Sequence, residues 1–154
     1  MKLVVIGNGM VGQRLLEHLT ATAQSRVDIT VLAEEPRAAY DRVHLTSFLS
    51  GKSAADLSLV EPEFFERHRI TLQLSDRAVQ IDRARREVHS ASGAVLGYDR
   101  LVLATGSSAF IPPVPGHDRP GCFVYRTIED LESIRQAGRA GGRGVVIGGG
   151  LLGL

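Results

Sequence analysis

The chain has 154 residues, of which 44% are hydrophobic and 23% are charged, as is typical of a soluble globular domain with a hydrophobic core. Its 18 basic and 17 acidic residues leave a net charge of +1, without the basic excess that nucleic-acid binding requires. The single cysteine excludes an internal disulfide and gives no metal-site spacing, and no apolar run approaches membrane-spanning length. We therefore expect a cytoplasmic protein without a metal site and without nucleic-acid or membrane partners.

The chain opens with a strand–turn–helix pattern. Lys2–Ile6 is a short apolar run that predicts a strand, and Met10–Thr22 has helical periodicity. In the loop that begins between them, Gly7 permits a tight turn, Gly9 lets the backbone approach a pyrophosphate, and Gly12 lets helix and strand pack closely. The helix N-terminus then offers free N–H groups to phosphates. The predicted phosphate-binding residues are Gly7, Gly9, Met10, Val11 and Gly12.

A second parallel strand is predicted at residues 27–32, followed by two acidic residues. An acidic side chain at this place, about 20 residues past the glycines, accepts hydrogen bonds from a ribose in dinucleotide-binding folds. Glu34 lies nearer the strand end, and Glu35 is the alternative. The alternative interpretation is that Glu34 and Glu35 are two solvent-exposed surface residues without a ligand-binding role.

The rest of the chain alternates short elements with irregular stretches. The sequence predicts a long loop over residues 36–60 and a short helix over 62–68. The proline-rich segment 111–116 is predicted to be a linker, because proline has no backbone N–H to donate to a helix or a central strand. A last helix is expected to begin at Thr127 or Glu129 and to end near Arg139. Further strands are expected at 70–74, 79–81, 86–90, 94–98, 101–104, 122–125 and 144–147.

The glycine pattern occurs twice. Residues 4–12 read VVIGNGMVG and residues 145–153 read VVIGGGLLG, so that Gly148, Gly150 and Gly153 predict a second dinucleotide site. Two such sites imply two dinucleotides that exchange electrons. One residue follows the last glycine, and we expect the helix of this second site to lie outside the sequence.

In order and spacing, VVIGNG, Glu34, YDRLVLATGS (98–107), IPPVPG (111–116) and the second glycine loop resemble the FAD- and NAD(P)-dependent pyridine nucleotide-disulphide oxidoreductases. The resemblance covers essentially the whole chain. It implies an α/β, Rossmann-like, three-layer FAD-binding domain over 1–115, with a parallel sheet, helices and a small antiparallel β-meander. Residues 116–154 would begin an inserted, incomplete NAD(P)-binding domain. The implied cofactors are FAD and NAD(P)H, with the choice between NADH and NADPH left open.

The resemblance also implies roles outside the glycine loops. Arg42 would be the cation near the flavin or its phosphates, with a surface salt bridge to Asp41 or a neighbouring glutamate as the alternative. The backbone of Val79 would meet the adenine. Flavin-side contacts are implied at Ala104, Thr105 and Gly106. No catalytic side chain is predicted, since the cofactors carry the hydride chemistry.

Within the family, the 36–60 segment and the Asn8 and Met10 variant of the loop resemble the N-terminal part of NAD(P)H-dependent nitrite reductase large subunits. TSFLSGK (46–52) lacks the cysteines of disulfide reductases. In the nitrite reductases, siroheme and iron–sulfur clusters in further segments reduce nitrite to ammonium; we expect 1–154 alone to be an inactive N-terminal fragment. Its expected partners are FAD, those further segments, and a second copy or a small subunit.

Three alternatives remain open at this point. The first is a ferredoxin- or rubredoxin-type NAD(P)H flavin reductase. The others are a non-catalytic dinucleotide-binding module and an inactive fragment.

Overall fold

The computed structural model describes residues 1–22, 27–139 and 141–150. In chain order its elements are β1 (Lys2–Ile6), α1 (Met10–Thr22), β2 (Asp28–Leu32), α2 (Thr46–Leu49), α3 (Phe64–Arg67), β3 (Thr71–Gln73), β4 (Ala78–Asp82), β5 (Glu87–Ser90), β6 (Val95–Gly97), β7 (Arg100–Leu103) and α4 (Ile128–Arg139).

The chain divides into two compact units. The first comprises Met1–Asp41 and Ser58–Gly106, and the second comprises Arg42–Leu57 and Ser107–Leu154. All the described strands lie in the first unit. The predicted division into domains between residues 115 and 116 stays a prediction.

A four-stranded parallel sheet in the order β3-β2-β1-β7 forms the centre of the first unit. Ile6 at the end of β1 pairs with Leu32 of β2 and with Leu103 of β7, so the carboxyl ends of these strands lie at one edge. From this edge the chain leaves β1 through α1 towards β2 on one side, while β7, from much later in the sequence, lies on the other side of β1. Such a point is where parallel α/β sheets bind their ligands.

Alternate side chains of β1 face two different layers. Val5 lies in a buried cluster with Leu16 of α1. Ile6 lies in a second cluster with Val88, from the antiparallel sheet β4-β5-β6. Both faces of the parallel sheet are therefore covered, which explains why β1 is continuously apolar. The three layers confirm the predicted fold class.

Two predicted strands are wrong. Neither 122–125 nor 144–147 forms a strand in the described structure, and the apolar side chains of Val145, Val146 and Ile147 are 71–85% exposed. A strand exists through hydrogen bonds to a neighbouring strand, which a short apolar run does not specify. The end of α4 at Arg139, before two glycines, agrees with the prediction.

In the second unit, the segment that carries α2 packs on the segment that carries α4. The guanidinium of Arg135 lies 5.0 Å from the centre of the Phe48 ring. The hydroxyl of Tyr125 donates to Thr46 Oγ1 at 2.9 Å. These contacts give the long loop after residue 41 a defined structure.

A buried carboxylate connects the two sheets of the first unit. Asp76 N donates to the Ala33 carbonyl at 2.9 Å, and the Asp76 carboxylate accepts from Ser92 N at 3.0 Å and Ser92 Oγ at 2.7 Å. The hydroxyls of Ser92 and then Ser90 lower the pKa of Asp76 most, followed by backbone donors, although burial acts in the opposite direction. The ionised form is thus the one that the fold stabilises.

Acid should remove the contribution of the ionised Asp76 carboxylate to the stability of the fold. Because the folded-state pKa of Asp76 lies below its unfolded value, the stabilisation is complete above about pH 4 and is lost as the pH falls through the folded value. Urea denaturation should show Asp76→Asn to be less stable than the wild type at neutral pH, with the difference shrinking at about pH 2.5. The exposed Asp118→Asn change should alter stability at neither pH. An equal Asp76→Asn deficit at both pH values would contradict the assignment.

Candidate functional site

Two glycines of the first loop are required by packing. Gly7 has φ +106°, and a Cβ there would collide with the carbonyl oxygen of Ala104, just after β7. A Cβ on Gly12 would collide with the carbonyl oxygen of Gly7. Side chains at either position would therefore push α1 away from the sheet edge.

Gly9 differs from these two. Its backbone is not left-handed, and a Cβ there would meet no atom within 4 Å among the described residues. The fold therefore needs no glycine at this position, and the absent side chain leaves open space where α1 begins. A diphosphate is a group that would fill it.

The start of α1 suits an anion. Gln13 N donates to the Gly9 carbonyl at 2.9 Å, which begins the helical pattern and leaves the preceding N–H groups, at Met10, Val11 and Gly12, without intrahelical acceptors. The first turn contains no acidic residue. Met10 and Val11 are exposed, so this positive end of the helix dipole is accessible.

The two acidic candidates have different environments. Glu35 Oε2 accepts a hydrogen bond from the hydroxyl of the buried Tyr40 at 2.7 Å. Glu34 is exposed, and its carboxylate makes no hydrogen bond or ion pair with the described residues. Both follow β2 at the edge where the glycine loop follows β1. Glu34 is thus the carboxylate available to a ligand.

Of the other candidates of the first unit, Ala104, Thr105 and Gly106 follow β7 at the same edge, whereas Val79 lies in β4 of the antiparallel sheet. Ala104 N donates to the Ile6 carbonyl at 2.8 Å, which holds the residues after β7 beside the glycine loop, and Thr105 and Gly106 are exposed. Ser75 N donates to the Glu35 carbonyl at 3.0 Å, and the chain then enters β4, where Val79 is 54% exposed. Their contacts with a flavin or an adenine stay predictions.

Arg42 and the second glycine loop belong to the second unit. Arg42 Nη1 donates to the Arg126 carbonyl at 2.9 Å, and its role near the flavin stays a prediction. Gly148 has φ +126°, a conformation that favours glycine as at Gly7. Gly150 is exposed, and Gly153 lies outside the described residues.

Sequence reasoning missed the side chain of Asn8. It is buried and bonds to the backbone of Ala39 and to Gln13. It also missed the tyrosine that separates the roles of Glu34 and Glu35. A polar residue between two glycines was the available signal for Asn8; the Tyr40 contact depends on tertiary structure.

Within 1–22, 27–139 and 141–150, no group of three His, Cys, Asp or Glu side chains could hold a metal ion. No helix in the same part of the chain has the length and apolar character of a membrane span. Cys122 is exposed and donates to the Gly116 carbonyl at 3.4 Å.

Comparison with known proteins decides the family. The family model described as pyridine nucleotide-disulphide oxidoreductase matches residues 1–154. The chain belongs to this family.

The relatives of this chain include nitrite reductases. It is 51% identical to the nitrite reductase (NADH) large subunit of Escherichia coli strain K12 and 53% identical to the nitrite reductase [NAD(P)H] large subunit of Klebsiella oxytoca, over 99% of its own length. It spans 18% and 16% of those proteins. A solved NADH:rubredoxin oxidoreductase from Clostridium acetobutylicum shares the fold with a TM-score of 0.86 and 28% identity, over 99% of this chain and 39% of that one.

The glycine loop generates a stability prediction. Gly7→Ala should lower the free energy of unfolding by more than about 2 kcal/mol, through the positive φ and the collision with Ala104. Gly9→Ala should change it by less than about 1 kcal/mol, because the new methyl group enters open space. Urea denaturation of both variants tests the contrast. Equal losses would contradict the division between packing glycine and open glycine.

Proposed function

We propose that the first unit binds FAD, with the diphosphate at Gly9 and the N-terminus of α1. The open space at Gly9 carries this proposal, because neither backbone conformation nor packing explains a glycine there. The exposed Glu34 at the same sheet edge supplies the acceptor that an adenosine ribose needs. Family membership supports the same cofactor class.

The residues of this site bind and orient rather than react. When bound, FAD supplies the acceptor for hydride from a nicotinamide and passes electrons onward. The N–H groups at the start of α1 neutralise the diphosphate, and the glycine loop allows the backbone to approach it. Glu34 holds the ribose and so sets the direction in which the cofactor extends. No described side chain is required to move a proton.

We propose further that the chain is the N-terminal part of an NAD(P)H-dependent nitrite reductase large subunit. Its identity of 51–53% to two such subunits exceeds its 33–35% identity to two reductases of ferredoxin and rhodocoxin systems. In the whole protein, NAD(P)H would bind at the loop containing Gly148 and Gly150. Siroheme and iron–sulfur clusters would lie in further segments, and the products would be ammonium and oxidised nicotinamide.

Homodimer or small-subunit contacts and a cytoplasmic location remain predictions from the sequence. The choice between NADH and NADPH also stays open, because the relatives' names include both.

FAD titration tests the site. The chain should quench flavin fluorescence and bind FAD weakly, with a stoichiometry near one, and Gly9→Val should weaken binding further, by at least about 10-fold, because its side chain fills the space proposed for the diphosphate. Gly97→Val is the matched control: a Cβ on Gly97, in β6, also meets no atom within 4 Å in the part of the chain that the structure describes, and its φ is not left-handed. This control should bind FAD like the wild type. Absence of binding by the wild-type chain, or equal binding by Gly9→Val, would overturn the proposal.

The two acidic candidates give a second test. Glu34→Gln should weaken FAD binding by roughly 10-fold, the cost of losing a charge-assisted hydrogen bond to the ribose. Glu35→Gln should have a smaller effect on FAD affinity, since its carboxylate is engaged by Tyr40. Titration of both variants under identical conditions separates the two assignments. A larger loss in Glu35→Gln would assign the ribose to Glu35.

A further inference from the structure

Asn8 is the non-glycine residue at the centre of the turn between β1 and α1. Its side chain is buried, with 8% of its surface exposed. Asn8 Oδ1 accepts from Ala39 N at 2.9 Å, and Asn8 Nδ2 donates to Gln13 Oε1 at 3.3 Å. The side chain therefore connects the turn to a segment 31 residues away in the sequence.

The direction of these hydrogen bonds is set at both ends. Ala39 N is a backbone donor, so the Asn8 atom facing it must be the oxygen. Gln13 Nε2 donates to Glu17 Oε1 at 3.3 Å, which leaves the oxygen of Gln13 to accept from Asn8. Position 8 thus needs one acceptor and one donor, the pair that a neutral amide provides.

The segment held by Asn8 is the one that carries the acidic pair. Ala39 is buried, and its own carbonyl accepts from Leu59 N at 3.0 Å. Tyr40, the next residue, is the donor to Glu35. Asn8 therefore fixes the glycine turn relative to the segment that follows Glu34.

We propose that Asn8 is a positioning residue for the dinucleotide: it holds the phosphate-binding turn in register with the ribose-binding segment, and its uncharged amide is required beside the diphosphate. This inference rests on the proposed FAD site. It adds that the amide, which faces the protein interior, sets cofactor affinity without contacting the cofactor.

The variant Asn8→Asp tests two properties of the amide, its N–H donor to Gln13 and its lack of charge. The two side chains are nearly isosteric, and a carboxylate keeps the acceptor for Ala39 N but loses the donor to Gln13. It also places a negative charge next to Gly9, where the proposed diphosphate lies. Protonation of the introduced carboxyl group restores both a donor and neutrality, so acid should repair this variant.

The experiment is FAD titration of the wild-type chain, Asn8→Asp and Asn8→Ala between about pH 8 and pH 5. At pH 8, Asn8→Asp should bind at least about 10-fold more weakly than the wild type. Because burial and the neighbouring diphosphate should raise the pKa of the introduced carboxyl group above its ordinary value, the ratio of their dissociation constants should fall as the pH is lowered to 5. Asn8→Ala should keep a constant deficit. A ratio for Asn8→Asp that equals one at pH 8, or stays unchanged with pH, would overturn the inference.

The control is Gln136→Glu, the same amide-to-acid change on an exposed position of α4, which should match the wild type throughout. Hydrogen exchange in the absence of FAD reports on the fold: the Ala39 amide should exchange faster in Asn8→Ala than in Asn8→Asp, which retains the acceptor. Equal exchange rates would contradict the positioning role. Failure of the wild-type chain to bind FAD would overturn the proposed function and this inference with it. If Gly9→Val loses binding but both Asn8 variants bind FAD like the wild type, the proposed site stands and only the role of Asn8 is overturned.

Discussion

The close contact of Gly7 with Ala104 and of Gly12 with Gly7 is the constraint on which the first unit depends. It allows α1 to begin directly at the carboxyl edge of the sheet, between β2 and β7. The residues that follow β1, β2 and β7 then meet at one place, because parallel strands end at the same edge. A methyl group at either glycine is enough to prevent this arrangement. Backbone-to-backbone packing, rather than a reactive side chain, therefore builds the site.

Within the glycine loop, different residues serve different requirements. Gly7 and Gly12 satisfy the packing of the protein itself, whereas Gly9 leaves space that no described residue occupies. Asn8, between them, turns its side chain inward and bonds to Ala39. The loop is consequently fixed on its interior side by the hydrogen bond of the buried Asn8 side chain, and it is open on its outer side, at Gly9 and the N-terminus of α1. In the proposed site, the affinity for a dinucleotide would therefore depend partly on a residue that does not touch it.

The second glycine loop shows how much the surroundings matter. Gly148 repeats the positive φ of Gly7, so the local conformation follows from the similar sequence. A Cβ on Gly148 would nevertheless meet no atom of the described residues within 4 Å, in contrast to Gly7. The apolar residues before it are exposed rather than paired in a sheet. The motif alone specifies a turn, and packing against a strand and a helix is what makes it a site.

The sequence by itself determined β1 and α1 with their observed bounds, because the apolar run, the glycines and the helical period all act within about 20 residues. The three-layer class followed from the resemblance of the sequence to the family, and the position of the acidic pair from its distance to the glycines. Only the tertiary structure decided that Tyr40 engages Glu35 and leaves Glu34 available, and that Asn8 bonds to Ala39. It likewise decided that 122–125 and 144–147 are not strands. These features require partners distant in sequence, and local periodicity carries no information about which partner is present.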